Sequence, residues 1–170
     1  MNESAVVVPV LDTGPLVQEL RLQYDPSAKA GVPPHVTLMF PFLPPGELTE
    51  SKVDALAALL GGAEHFDFSL THVREFEQGV VYLEPEPAEP FIQLTKKIGD
   101  LFGLLPFGGE FGDTSVPHLT VTTPESRMTS EQIARQLEPL LPIQSVADTG
   151  WLMVGSNSGT WITMREMRFR

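Results

Sequence analysis

The stretch "VPPHVTLMFPF", residues 32–42, decides how this chain is read, because "SVPHLTVTT" at 115–123 repeats it. Both run Pro-His-apolar-Thr-apolar, and together they use two of the four histidines in the chain. An apolar run of this length behind a proline is the pattern of a short strand. Residues i and i+2 of a strand share a face, so His35 projects with Thr37, and His118 with Thr120. Val36 and Leu38 project the other way, as do Leu119 and Val121, and can anchor each strand in a core. The polar face then carries groups that need partners or a ligand.

Outward from the first motif, Ala5–Leu11 reads as a buried strand. A short helix follows, with Asp12 or Thr13 as cap and Pro15 in its first turn. "YDPSAKAGVPP" (24–34) reads as a loop. After the first motif, Thr49 caps a helix to about Leu60, with Val53, Leu56, Leu59 and Leu60 on one side and Gly61-Gly62 at its end. A hairpin comes next, placing Phe66, Phe68, Leu70, His72, Arg74 and Phe76 on one face by the period of two. Pro90 opens a helix carrying Phe91, Leu94, Ile98, Leu101 and Phe102, and a glycine-rich loop (103–117) leads to the second motif. Thr129 caps a helix to about Leu141, and two strands, 143–154 and 160–169, close the chain.

The order strand, helix, His strand, helix, strand therefore occurs twice, in residues 5–76 and again in 79–155, with the strand 160–169 added. The 83 residues between His35 and His118 are about the length of one unit. Two related halves pack most naturally around a cleft, so residues 1–170 form a single bilobal domain. Two imidazoles facing one another across it make a general acid/base pair, since an unperturbed pKa of about 6.5 lets one be protonated and the other neutral near neutral pH. In-line displacement at phosphorus uses that arrangement, with the threonine hydroxyls donating to the non-bridging oxygens.

These residues carry a resemblance. "PHVTL" and "PHLTV", one in each half of the repeat, resemble the motifs of the 2H phosphoesterases, a superfamily that includes the bacterial 2′-5′ RNA ligase-like proteins and cyclic nucleotide phosphodiesterases. The loop "PFGGEFGD" before the second motif resembles the bacterial branch. The resemblance implies an α+β fold of pseudo-twofold symmetry, with two mainly antiparallel sheets and outer helices around a central cleft. It implies His35 and His118 as catalytic residues, the first as proton donor and the second as acceptor, and Thr37 and Thr120 as holders of the phosphate. The implied reaction opens a 2′,3′-cyclic phosphate or related diester without a cofactor or metal. With an RNA 5′-hydroxyl as nucleophile, the same groups would join strands in an ATP-independent 2′-5′ ligation, since the chain has no G-x-x-x-x-G-K-[ST] loop. A non-catalytic module binding a nucleotide or phosphate ligand on the same fold is the alternative.

Composition limits the partners. A net charge of −11, with 11 Lys and Arg and no basic run, argues against an extended nucleic-acid surface and for a small cyclic nucleotide or an RNA-terminal phosphate as substrate. No cysteine is present, which excludes thiolate metal sites and Cys nucleophiles. No apolar run approaches the ~20 residues of a membrane span, and the start lacks the basic, then apolar, pattern of a signal peptide. A cytoplasmic monomer is the expectation. A metal site on His35, His118 and Asp113 has no supporting ligand spacing. Arg74 and Arg165 sit on mainly apolar strand faces and can reach for phosphate or an internal partner; Tyr24 and Phe107 can stack a base or pack in the core. His72, on the same apolar face, reads as structural, and His65 as exposed.

Overall fold

Strand β1 (Glu3–Pro9) is apolar on both faces because it is buried on both. Val6 and Val8 enter the main core, while Ala5 and Val7 pack on the opposite side with Val32, Met153 and, at its margin, Phe40, Trp151 and Trp161. The computed structural model describes residues 2–170. The other strands are β2 (His35–Met39), β3 (Phe66–Glu75), β4 (Val81–Glu86), β5 (Leu119–Thr122), β6 (Ile143–Ala147), β7 (Thr149–Gly155) and β8 (Trp161–Arg168). They form two four-stranded sheets, ordered β2-β1-β7-β8 and β5-β4-β3-β6. Every pairing is antiparallel. The fold is α+β, and each His strand lies at the same edge position of its sheet.

Five helices complete it: α1 (Pro15–Tyr24), the single turn α2 (Pro26–Lys29), α3 (Glu50–Gly61), α4 (Glu89–Phe102) and α5 (Ser130–Leu137). Helix α4 is amphipathic, burying Phe91, Leu94 and Ile98. Each helix that precedes a His strand packs under the other one: α1 lies against β5, and α4 against β2. This crossing interlocks the halves and sets β2 beside β5. The predicted caps at Thr49 and Thr129 form, the latter as a full capping box with Gln132. At α1 the N-cap is Gly14 without a side-chain cap; Asp12 instead accepts a 2.8 Å hydrogen bond from the Ser145 hydroxyl.

Three expectations change. The stretch 143–154 is not one strand. It divides at Asp148 into β6 and β7, which belong to different sheets. The two lobes consequently do not coincide with units 5–76 and 79–155: β3 of the first unit sits between β4 and β6, and β7 with β8 completes the sheet begun by β1 and β2. The period of two also breaks twice. A register shift between Leu70 and His72 turns Val73 toward the core and leaves His72 and Arg74 exposed. Another, where β8 pairs with Leu152 and Met153, separates Thr163 from Arg165, so Trp161 and Arg165 lie on opposite faces. Among the described residues no helix is long and apolar enough to cross a membrane.

Candidate active site

The two histidines are positioned by the same local device. His35 Nδ1 donates to the Pro33 carbonyl at 2.8 Å, and His118 Nδ1 to the Val116 carbonyl at 2.7 Å. A carbonyl only accepts, so each Nδ1 carries its proton and each Nε2 is left to exchange one. The intervening prolines, Pro34 and Pro117, hold the preceding residue extended and so aim its carbonyl. This is the structural reason for proline in both motifs.

His35, Thr37, His118 and Thr120 line one cavity of about 690 Å³. Neither threonine hydroxyl has a hydrogen-bond partner among the described side chains, so both are free donors at the cavity wall. Burial pushes the His35 imidazole down to about 4; its bond to Pro33 opposes this, and the charges of Arg21 and a protonated His118 add to it. Burial lowers His118 as well, against its bond to Val116. Aromatic rings surround His118: Phe76 edge-on at 5.0 Å, Tyr82 at 5.6 Å and Phe107 near-parallel at 6.3 Å between centroids.

Behind His35 lies a buried ion pair. Arg21, 2 % exposed, donates to Asp25 Oδ2 through Nε at 3.2 Å and Nη2 at 3.0 Å, to the Val32 carbonyl through Nη1 at 3.0 Å, and to the Ser27 hydroxyl at 3.1 Å. Asp25 Oδ1 accepts from the Ser27 amide and hydroxyl. The cluster fastens the segment 25–32 to α1, its last contact falling on the Val32 carbonyl, one residue before the Pro33 carbonyl that orients His35. Arg21, Asp25 and Ser27 were not singled out from the sequence. The signal was an arginine at position i+4 of the buried stripe Val17, Leu20, Arg21, with an aspartate four residues on.

Of the further candidates, Phe107 lines the cavity. It holds a left-handed backbone (φ 54°), followed by Gly108 and Gly109, also at positive φ, and its amide is bonded to the Phe40 carbonyl at 2.6 Å. That conformation costs a non-glycine residue roughly 1–2 kcal/mol and places its side chain at the wall. Tyr24 does not line the cavity: its ring packs against the main core, and its carbonyl accepts from the Thr123 amide and hydroxyl at the end of β5. Arg74 and Arg165 are also outside. Arg74 pairs with Glu84 at 2.9 Å, and Arg165 with Asp54 of α3 at 2.7 Å. The two bulges put them there: the strand faces assigned by strict alternation are corrected, and of the two alternatives read from the sequence both arginines take the internal ion pair. Among the described residues the one group able to gather around a metal ion is His72, Glu84 and Glu86 on β3 and β4, with Glu84 half-buried and the other two exposed, outside the cavity; Asp113 is exposed and outside it too. His65 is exposed as expected, its Nδ1 bonded to the Arg170 carbonyl.

The sequence model of the 2′-5′ RNA ligase superfamily matches residues 9–159. A search of curated proteins finds no match. Among solved structures, Escherichia coli LigT complexed with NADP+ superposes with a TM-score of 0.60 at 19 % identity, over 99 % of this chain and 97 % of its own. A structure described as a phosphoesterase gives 0.63 at 17 % identity over 99 % of each chain, and LigT complexed with 3′-AMP gives 0.59 at 17 % over 99 % and 98 %. At these identities the likeness is one of fold.

Proposed function

Because the chain belongs to the 2′-5′ RNA ligase superfamily, we propose that it is a metal-independent phosphoesterase that opens a cyclic phosphodiester by His/His acid-base catalysis. The observation that carries this reading is the pairing of two equivalent imidazoles, each with Nδ1 held by a backbone carbonyl, in one cavity with two unpartnered threonine hydroxyls.

A 2′,3′-cyclic phosphate occupies the space between the motifs. His118 Nε2 takes a proton from water, whose oxygen bonds to phosphorus. The bond from phosphorus to one ribose oxygen breaks, and His35 Nε2–H protonates that oxygen. The product is a 2′-phosphomonoester, and both imidazoles have exchanged protonation states. Thr37 and Thr120 donate to the non-bridging oxygens as charge builds there. Both histidines resist protonation in the free protein; the substrate's own negative charge raises them, so the acid is formed in the complex. With a ribose 5′-hydroxyl in place of water, the same ring opening breaks the bond to the 3′ oxygen, which His35 protonates, and makes a 2′-5′ bond without ATP.

His35→Ala and His118→Ala, each checked for folding, are assayed on a 2′,3′-cyclic nucleotide. Each is expected to lose on the order of 10²–10⁴-fold in kcat. Full activity in both sinks the mechanism. If His35 is the acid, a phosphodiester with a good leaving group restores much of the rate to His35→Ala and little to His118→Ala. Activity is expected to survive chelator, and its loss there would favour a metal-dependent reaction.

A further inference from the structure

The cavity holds almost no charge, and this bears on what it accepts. Of its lining residues only Asp25 is formally charged, apart from the two histidines, and no lysine or arginine is present. Arg21, whose charge acts on His35, is buried and bound to Asp25; Arg74 and Arg165 are bound to Glu84 and Asp54 outside the cavity. The remaining walls are mainly apolar and aromatic, with Ser27, Gln78, Thr114, Ser115 and Thr123 as uncharged polar groups. Phe40 and Trp161 pack at 6.3 Å on the sheet that carries His35, while Phe107 and Phe111 pack edge to face at 6.0 Å beside His118. Met153 and Val7 continue the apolar floor.

We infer that the site takes a diester with a single phosphate joined to an aromatic or apolar body, of the size of a nucleoside cyclic monophosphate, and selects against substrates that carry further phosphates, RNA ends among them. This rests on the proposed phosphoesterase reading and narrows its substrate class. One phosphate is served by two imidazoles and two hydroxyls. A second one gains no cation here and enters a protein of net charge −11. Proteins that hold RNA neutralise successive phosphates with Lys and Arg, so their affinity falls as salt rises. This cavity has the opposite electrostatics, and salt should relieve repulsion. Base–aromatic stacking supplies the affinity that charge does not.

The test compares kcat/KM for a nucleoside 2′,3′-cyclic monophosphate, the same compound bearing a 5′-phosphate, and a trinucleotide ending in the same cyclic phosphate, each at low and high salt. The cyclic monophosphate is expected to lead by about tenfold or more at low salt, with the gap narrowing as salt rises. Phe107→Ala is expected to lower kcat/KM for the cyclic monophosphate by about tenfold. Gln78→Lys, at the cavity wall, is expected to raise it for the trinucleotide. A trinucleotide turned over as well as the monophosphate, with a rate falling in salt, overturns this inference and leaves the proposed reaction standing. No turnover of any of the three overturns both.

Discussion

At His35 the burial that shapes the site also opposes its protonation. The unfolded chain takes up this proton near 6.5, and the folded chain only near about 4. Between those values the unfolded state binds more protons, so stability rises with pH through the window and is lost as pH falls, by at most about 3 kcal/mol at its acid end. His35→Gln should remove that part of the slope in urea unfolding measured from pH 4 to 7; an unchanged slope would mean that the imidazole titrates normally. Catalysis needs one imidazole charged, and both are depressed, so kcat/KM should peak on the acid side of neutrality. The profile reports the pair, not either residue. Arg21 makes a separate prediction. Arg21→Met leaves Asp25 buried without its cation, at a cost of about 3–5 kcal/mol in chemical denaturation, and adding Asp25→Asn should restore much of it. The His-x-Thr pairs were legible in the sequence because a strand's period alone sets which residues project together. Arg21 was less so, since a charge on a buried stripe shows that a partner is needed without showing what the cluster supports.

Among the elements, periodicity failed where a strand carries an extra residue. Bulges in β3 and β8 turned Arg74 and Arg165 away from the faces that strict alternation assigns them. A bulge costs one residue and leaves little local mark, so pattern alone misses it. Arg165 then meets Asp54 of α3, outside the cavity. Arg165→Ala should leave kcat/KM within about twofold of the parent, because a half-exposed ion pair outside the site contributes little. A large rise in KM would return Arg165 to the cleft. The helix caps were read correctly at Thr49 and Thr129, where the side chain meets the backbone within three residues. They were misread at α1, where Asp12 serves Ser145, 133 residues away in sequence.

Over the whole molecule, the main core gathers Val6, Leu38 and Leu152 from one sheet with Phe68, Leu83 and Leu119 from the other. With the helices crossed beneath the opposite His strands, the main core is shared by both lobes, and the smaller cluster of Ala5, Val7, Val32 and Met153 lies on the other face of one sheet. Unfolding should therefore be a single cooperative transition. Both tryptophans, Trp151 and Trp161, lie in one sheet, so their fluorescence follows that lobe while far-UV circular dichroism follows both. The two transitions should coincide, and separated midpoints would show lobes that unfold independently. The sequence by itself determined the element order, the doubled motif and which side of each His strand is polar, because strand and helix periods and capping act over a few residues. The tertiary structure alone decided that 143–154 is shared between two sheets, that the lobes exchange strands, and that the two motifs meet in one nearly uncharged cavity. Those outcomes depend on burying apolar faces far apart in the chain against one another, and no local pattern encodes which faces will meet.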